Sequence, residues 1–227
     1  AAAESELAKR VETELKSAEA EVSTEALVVV KSYEASYGAG FIAEMRGRTF
    51  LITNIHVLGA ARGASIQTLE GIEVSLPLHG YISRWRDVAI VPIEWQGPTL
   101  PLSQALSFDE VEVGQDVTVL GLPGADDADV IRLQGRLLSV AEHELEVQTK
   151  SVPRNSGSPI IHDSSGQVIA MVSHYQDQTV RPRFGHRGGN EAGAEGERPV
   201  VRDIRCFGAR LHGDVEWRRI GLSELYK

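Results

Sequence analysis

From Ala26 to Leu211 the chain alternates between short apolar runs and short polar breaks. The runs cover 26–33, 38–45, 49–58, 64–69, 72–82, 87–95, 116–122, 130–140, 145–150, 159–163, 167–175 and 200–211, and most are rich in β-branched side chains. Gly, Pro, Asp and Asn stand between them. Spacing of this kind predicts a β-sandwich or barrel and not alternating β-α units. Residues 1 to about 21 differ. They are rich in Ala, Glu, Lys and Leu, which favour helix, and Leu7, Val11 and Leu15 fall four apart in a narrow apolar stripe. A helix laid against the main body is expected there, or an oligomerisation or regulatory arm. Ser23 and Thr24 end it, since both favour caps over helix interiors.

The same pattern divides the chain. After the 1–25 arm come a first β lobe over 26–97 and a connection over 98–109, poor in strand formers and carrying Pro98 and Pro101. A second lobe covers 110–212. Within it, 176–199 is rich in Gly and charge without periodicity and reads as a long mobile surface loop. The closing segment 213–227 is expected to start a short helix.

Composition narrows the function classes. The chain has 227 residues, 42% hydrophobic and 24% charged, which is globular and not disordered. Its 32 acidic and 23 basic residues give a net charge of −9, which disfavours nucleic acid as a partner. One cysteine, Cys206, excludes an intrachain disulfide or a Cys-rich zinc module; it is read as a packed small apolar residue. No apolar run approaches the roughly 20 residues of a membrane-spanning helix. No signal-peptide pattern opens the sequence as given, which leaves location open. The remaining histidines, His79, His143, His162, His174, His186 and His212, lack metal-ligand spacing. The acidic run Asp126-Asp127-Ala128-Asp129 lacks the register of a calcium loop. Neither metal nor cofactor is expected.

Three places carry candidate chemistry. His56 follows Thr53-Asn54-Ile55 at the end of an apolar strand; Asp87 opens the apolar run Val88-Ala89-Ile90-Val91; Ser156 sits in the turn Asn155-Ser156-Gly157-Ser158-Pro159, just ahead of a strand. Each alone is weak, because such residues commonly serve as caps and turns. Their order is more specific. His, Asp, Ser is one of the chain orders in which a catalytic triad occurs. Separations of 31 and 69 residues allow three different loops to meet in a cleft.

These residues resemble the trypsin-like (chymotrypsin-fold) serine peptidases, most closely the bacterial HtrA/Deg-type branch. Gly38-Ala39-Gly40-Phe41-Ile42, followed by Leu51-Ile52-Thr53-Asn54-Ile55-His56-Val57, is similar to that family's G-S-G-F-I and L-T-N-x-H-V. Asp87-Val88-Ala89-Ile90-Val91 is similar to D-L-A-V-L, and Gly114-Gln115-Asp116-Val117 with Leu120-Gly121-Leu122-Pro123-Gly124 to G-D-x-V and I-G-N-P. Asn155 to Pro159 with Gly166-Gln167-Val168-Ile169 is similar to N-S-G-G-P and G-x-V-I-G. The likeness runs from about 26 to 175. It implies two antiparallel six-stranded β-barrels with the site between them, and a serine endopeptidase acting on polypeptides. Ser156 would be the nucleophile, His56 its base and acid, and Asp87 the group that orients His56. The backbone N–H groups of Arg154 and Ser156 would form the oxyanion hole.

The chain departs from the pattern at Arg154 and Ser158, where the family usually has Gly; glutamyl endopeptidases share the Asn-Ser-Gly-Ser-Pro variant. Arg154 must bring its N–H into the hole without glycine's backbone freedom. An alternative therefore stands beside the active peptidase: a protease-fold module dormant until activated, or one that binds peptides or a partner and cuts little. By the resemblance, Ser173, His174 and Tyr175 form a pocket wall. Tyr175 stands near a usual Gly and would favour small apolar side chains. Lys150 would favour an acidic side chain if it points inward, and otherwise meets solvent. Val172, where the glutamyl branch has His, counts against the acidic option, and no Asp occupies the pocket base of trypsin-like Lys/Arg specificity. The resemblance also implies a periplasmic or secreted bacterial location, trimeric or partner-regulated relatives, and a longer parent protein, since no PDZ domain fits after Leu211.

Overall fold

The computed structural model describes residues 23–31, 37–61, 65–102, 110–122, 130–149, 156–180 and 201–225. The expected N-terminal helix, the Asp126–Asp129 run, His186 and most of the 176–199 loop lie outside them. After a 3-10 turn at Thr24–Ala26, the first lobe forms β1 (Leu27–Lys31), β2 (Tyr37–Met45), β3 (Arg48–Thr53), a one-turn helix α1 (Ile55–Gly59), β4 (Ser65–Thr68), β5 (His79–Ser83) and β6 (Ala89–Pro92). The second forms β7 (Asp116–Gly121), β8 (Ile131–Val140), β9 (Glu144–Thr149), β10 (Pro159–His162), β11 (Gln167–Val180) and β12 (Val201–Arg210). The chain then returns through β13 (Trp217–Gly221) and α2 (Leu222–Leu225).

The second lobe is a closed six-stranded barrel, ordered β10-β11-β12-β9-β8-β7. Closure leaves no sheet edge to solvent. The first lobe is a seven-stranded antiparallel sheet, ordered β13-β5-β6-β3-β2-β1-β4. The strand pattern fits the two-barrel architecture expected from the sequence.

Four boundaries differ. The closing segment adds a strand to the first lobe before its short helix: Trp217 pairs with Ser83 and Ile220 with Gly80, and Ile220 is buried. Residues 176–180, read as loop, continue β11 along β12. Of the run 72–82, only the part from His79 is a strand. His56 lies in α1 and not at a strand end.

Core packing explains why the lobes hold together. Strands such as β4 alternate buried and partly exposed positions, with Ile66 and Thr68 turned inward. Val117, Val119, Leu137, Leu145, Val147, Ile160 and Val172 fill the closed barrel. The first lobe's core does not stop at its own strands; Leu120, Ile161, Val168 and Met171 of the second lobe join it. Each such side chain contributes about 1.5–3 kcal/mol on burial. The connection is pinned to both lobes, with Leu100 N–H donating to Ile42 O and Val168 N–H to Pro101 O, both at 2.8 Å.

Where the lobes meet behind β12, His212 is buried. Its Nδ1–H donates to Ile169 O at 3.1 Å, and its Nε2 accepts from Arg210 Nη2 at 2.6 Å. Burial, then the neighbouring Arg210 charge, push its pKa from 6.5 down to about 4. Between those values the unfolded chain binds the proton and the folded chain does not, so acid favours unfolding. Chemical denaturation is therefore expected to show stability falling as pH drops from about 6.5 towards 4, by up to about 1.4 kcal/mol per unit. His212→Gln keeps both hydrogen bonds without the titration and should flatten that slope; an unchanged slope contradicts the assignment.

Candidate active site

Asn54 follows β3 in an extended conformation, φ −74° and ψ 153°, and opens α1. Its carbonyl accepts Leu58 N–H at 3.0 Å, and Ala60 N–H donates to His56 O at 3.1 Å. The turn buries Val57 and Leu58 and leaves the His56 side chain 52% exposed. Asp87 lies in the bend between β5 and β6. His56 Nδ1 is 2.5 Å from Asp87 Oδ2, and His56 N–H donates to Oδ1 at 3.2 Å. A carboxylate only accepts, so the proton sits on Nδ1 and Nε2 is left as a base.

Two further residues complete this corner, and the sequence reading gave neither this role. Asn54 is buried, and its side-chain amide donates to Asp87 O at 2.9 Å instead of capping the helix. Ser173 Oγ donates to Asp87 Oδ2 at 3.2 Å. Ser173 stands here because β11 is irregular: Val172 pairs with Gly208 and His174 with Phe207, so Ser173 is an extra, unpaired residue. A bulge of this kind redirects a side chain. Burial, the largest influence on Asp87, opposes its charge. The His56 hydrogen bonds and charge and the Ser173 hydroxyl outweigh burial and hold the carboxyl below its usual range.

Ser156 begins the turn before β10. Its carbonyl accepts Ala39 N–H of β2 at 2.7 Å, and Gly157 N–H donates to Val172 O at 2.8 Å. The Ser156 hydroxyl donates to Ser173 O at 3.3 Å. Among the described residues no hydrogen bond joins it to the His56 ring. Gly157 has φ 92°, and a Cβ on it would overlap the Ala39 carbonyl. Only glycine fits there on both counts. Ser158 is fully buried, and its hydroxyl has no hydrogen-bond partner among the described residues.

The structure thus brings His56, Asp87, Ser156 and Ser173 into one network. His174 stacks on Phe207, centroids 4.7 Å apart and nearly parallel, with its ring 3.8 Å from Glu144. Tyr175 packs on the second barrel's core and pairs with Cys206 across the sheet. Cys206 is buried, and burial pushes its thiol up to about 12, which leaves it unreactive. Lys150 and Arg154 lie outside the described residues. Among the described residues no cluster of His, Cys, Asp and Glu could hold a metal ion. No described helix is long and apolar enough to cross a membrane.

Two outcomes are expected. Gly157→Ala should cost more than about 1–2 kcal/mol, the usual left-handed penalty, because the methyl also meets backbone. Denaturant melts of the variant check this, and wild-type stability would contradict the geometry. Ser158→Ala should raise stability by about 1 kcal/mol, since it removes an unsatisfied buried hydroxyl. A loss of stability in the same assay would mean that the hydroxyl has a partner.

Comparison with known proteins places this geometry. Residues 38–171 match the family model "Trypsin-like peptidase domain". "Putative serine protease HhoA" of Synechocystis is 29% identical over 147 residues, covering 60% of this chain. The chain spans 36% of that relative's length. Among solved structures, an inactive form of a serine-to-alanine mutant of Rv3671c from M. tuberculosis H37Rv superposes with a TM-score of 0.54. It is 18% identical, with 82% of each chain covered. The Rv3671c protease in its inactive form gives 0.52 at 18% identity, over 82% of this chain and 84% of that one. At such identity these structures speak for the fold.

Proposed function

The chain belongs to the family of trypsin-like peptidases, and on that premise we propose that it hydrolyses peptide bonds through an acyl-enzyme on Ser156. The observation that carries this is the His56–Asp87 pair, with its proton fixed on Nδ1 and Ser156 attached to the same corner through Ser173. A serine hydroxyl is a weak nucleophile near neutral pH and needs such a base. The Ser156 hydroxyl turns from the Ser173 carbonyl to His56 Nε2, which takes its proton as Oγ bonds to the substrate carbonyl carbon. The tetrahedral oxyanion receives the N–H groups of Ser156 and Arg154. His56 then gives its proton to the departing amine as the C–N bond breaks. Water, deprotonated by His56, then attacks the ester carbonyl carbon, and His56 returns that proton to Ser156 Oγ as the C–Oγ bond breaks. Asp87 stays ionised throughout and stabilises the imidazolium.

Substrates are polypeptides with a small apolar residue before the cleaved bond. What supports this reading is the resemblance: Tyr175 stands two residues after Ser173 in the wall segment, near a usual Gly, and its bulk takes the place a small residue would leave open.

A fluorophosphonate probe, read by intact mass, tests the reaction. Folded wild type should gain one adduct, and Ser156→Ala and heat-denatured protein none. Asp87→Asn should slow labelling by about 10⁴-fold through the wrong His56 tautomer. Absence of an adduct on folded wild type contradicts a constitutively assembled site. In peptide-library profiling, wild type should prefer Ala or Val before the cut, and Tyr175→Gly should admit larger apolar residues. Equal profiles would remove Tyr175 from the pocket.

A further inference from the structure

His56 is held by a helix and Ser156 by a strand turn, but Asp87 stands on an irregular segment, 84–88. What fixes it is next to it. Val88 N–H donates to Arg86 O at 2.8 Å, closing a three-residue turn with Asp87 at its apex. Ser83 N–H donates to Val88 O at 2.9 Å, and Arg86 N–H to Ser83 Oγ at 3.2 Å. Asn54 holds the turn from one side, at the Asp87 carbonyl, and Arg86 anchors it from the other.

The Arg86 side chain is 6% exposed and uses all five of its N–H donors. Nε donates to His143 Nδ1 at 3.3 Å. Nη1 donates to Arg210 O at 3.1 Å and His212 O at 2.8 Å. Nη2 donates to Glu142 O at 3.1 Å and Asp214 O at 3.3 Å. Every one of these acceptors lies on the β8–β9 turn or on the chain leaving β12. The residue before Asp87, carried by the first lobe, is thus locked to the barrel that carries Ser156. No carboxylate lies within ion-pair distance of this guanidinium among the described residues. Burial lowers its pKa, with the more distant Glu142 and Asp214 charges opposing, and the Arg210 guanidinium adds repulsion to the pair. The charged fork brings geometry: five fixed donors that a lysine ammonium cannot reproduce.

We propose that Arg86 is a positioning residue, whose guanidinium spans the two lobes, holds the Asp87 turn against the second barrel and so orients His56 towards Ser156. This rests on the Ser156–His56–Asp87 reading above. The test uses the full chain with Arg86→Lys and His143→Ala; the second removes the Nε acceptor and a 4.0 Å contact with Glu142 at a partly exposed side chain. Three quantities are read: melting temperature, the rate constant for fluorophosphonate labelling, and the low-field NMR resonance of the proton between His56 and Asp87. Folded Arg86→Lys should label at least tenfold more slowly, with the resonance shifted or lost. His143→Ala should keep its melting temperature within a few degrees, label about threefold more slowly and shift the resonance. If folded variants label at the wild-type rate with an unmoved resonance, Arg86 is only structural and the proposal fails. If Arg86→Lys does not fold, His143→Ala decides on the same criteria. Wild type that takes no label would overturn the triad reading instead, and the resonance would still decide for or against Arg86.

Discussion

The site depends on one contact between lobes: the Ser156–Gly157 turn resting on Ala39 of β2. Ala39 N–H reaches Ser156 O at 2.7 Å, and Gly157 lies so close to the Ala39 carbonyl that no side chain fits between them. Thr53, fully buried at the end of β3, donates its hydroxyl to the same carbonyl at 2.7 Å. The strand leading to His56 and the turn carrying Ser156 are therefore fastened to one residue, Ala39. Apolar packing supplies the adhesion between the lobes, but it is not directional. The hydrogen bonds at Ala39 convert adhesion into a fixed register, which a reaction needing about 3 Å between partners requires.

A second set of contacts works on the same boundary from the other side. Ser173, released from the β11 ladder by a bulge, gives its hydroxyl to Asp87 and its carbonyl to Ser156. Asp87 in turn accepts from His56 twice. Charge is thereby stabilised where the proposed imidazolium forms, in a half-buried corner where dipoles act more strongly than in water.

The sequence made much of this readable, for physical reasons that differ by residue. The strands of both lobes announced themselves because half-buried strands need period-two patterns and turns need Gly, Pro and Asn. His56, Asp87 and Ser156 stood out through order and motif, and Gly157 through the tight turn beside Ser156. Other features had no local signature. The strand 217–221 follows polar and charged residues and is defined by pairing with 79–83, far away in sequence. Ser173 looked like a pocket wall, because a bulge depends on how two strands pair and not on the composition of one. Arg86 carried no signal in the sequence, since four of its five acceptors are backbone carbonyls, which no side-chain pattern reveals.

The central claim is that these contacts assemble a serine nucleophile, its base and an oxyanion site at one point. The most direct measurement is a crystal structure of the protein after reaction with a phosphonate, whose tetrahedral adduct mimics the intermediate. The account predicts a bond from Ser156 Oγ to phosphorus, His56 Nε2 within hydrogen-bond reach of that oxygen, and the phosphonyl oxygen between the N–H groups of Ser156 and Arg154. An adduct whose phosphonyl oxygen points away from both N–H groups, or a His56 ring parted from Asp87, would contradict it.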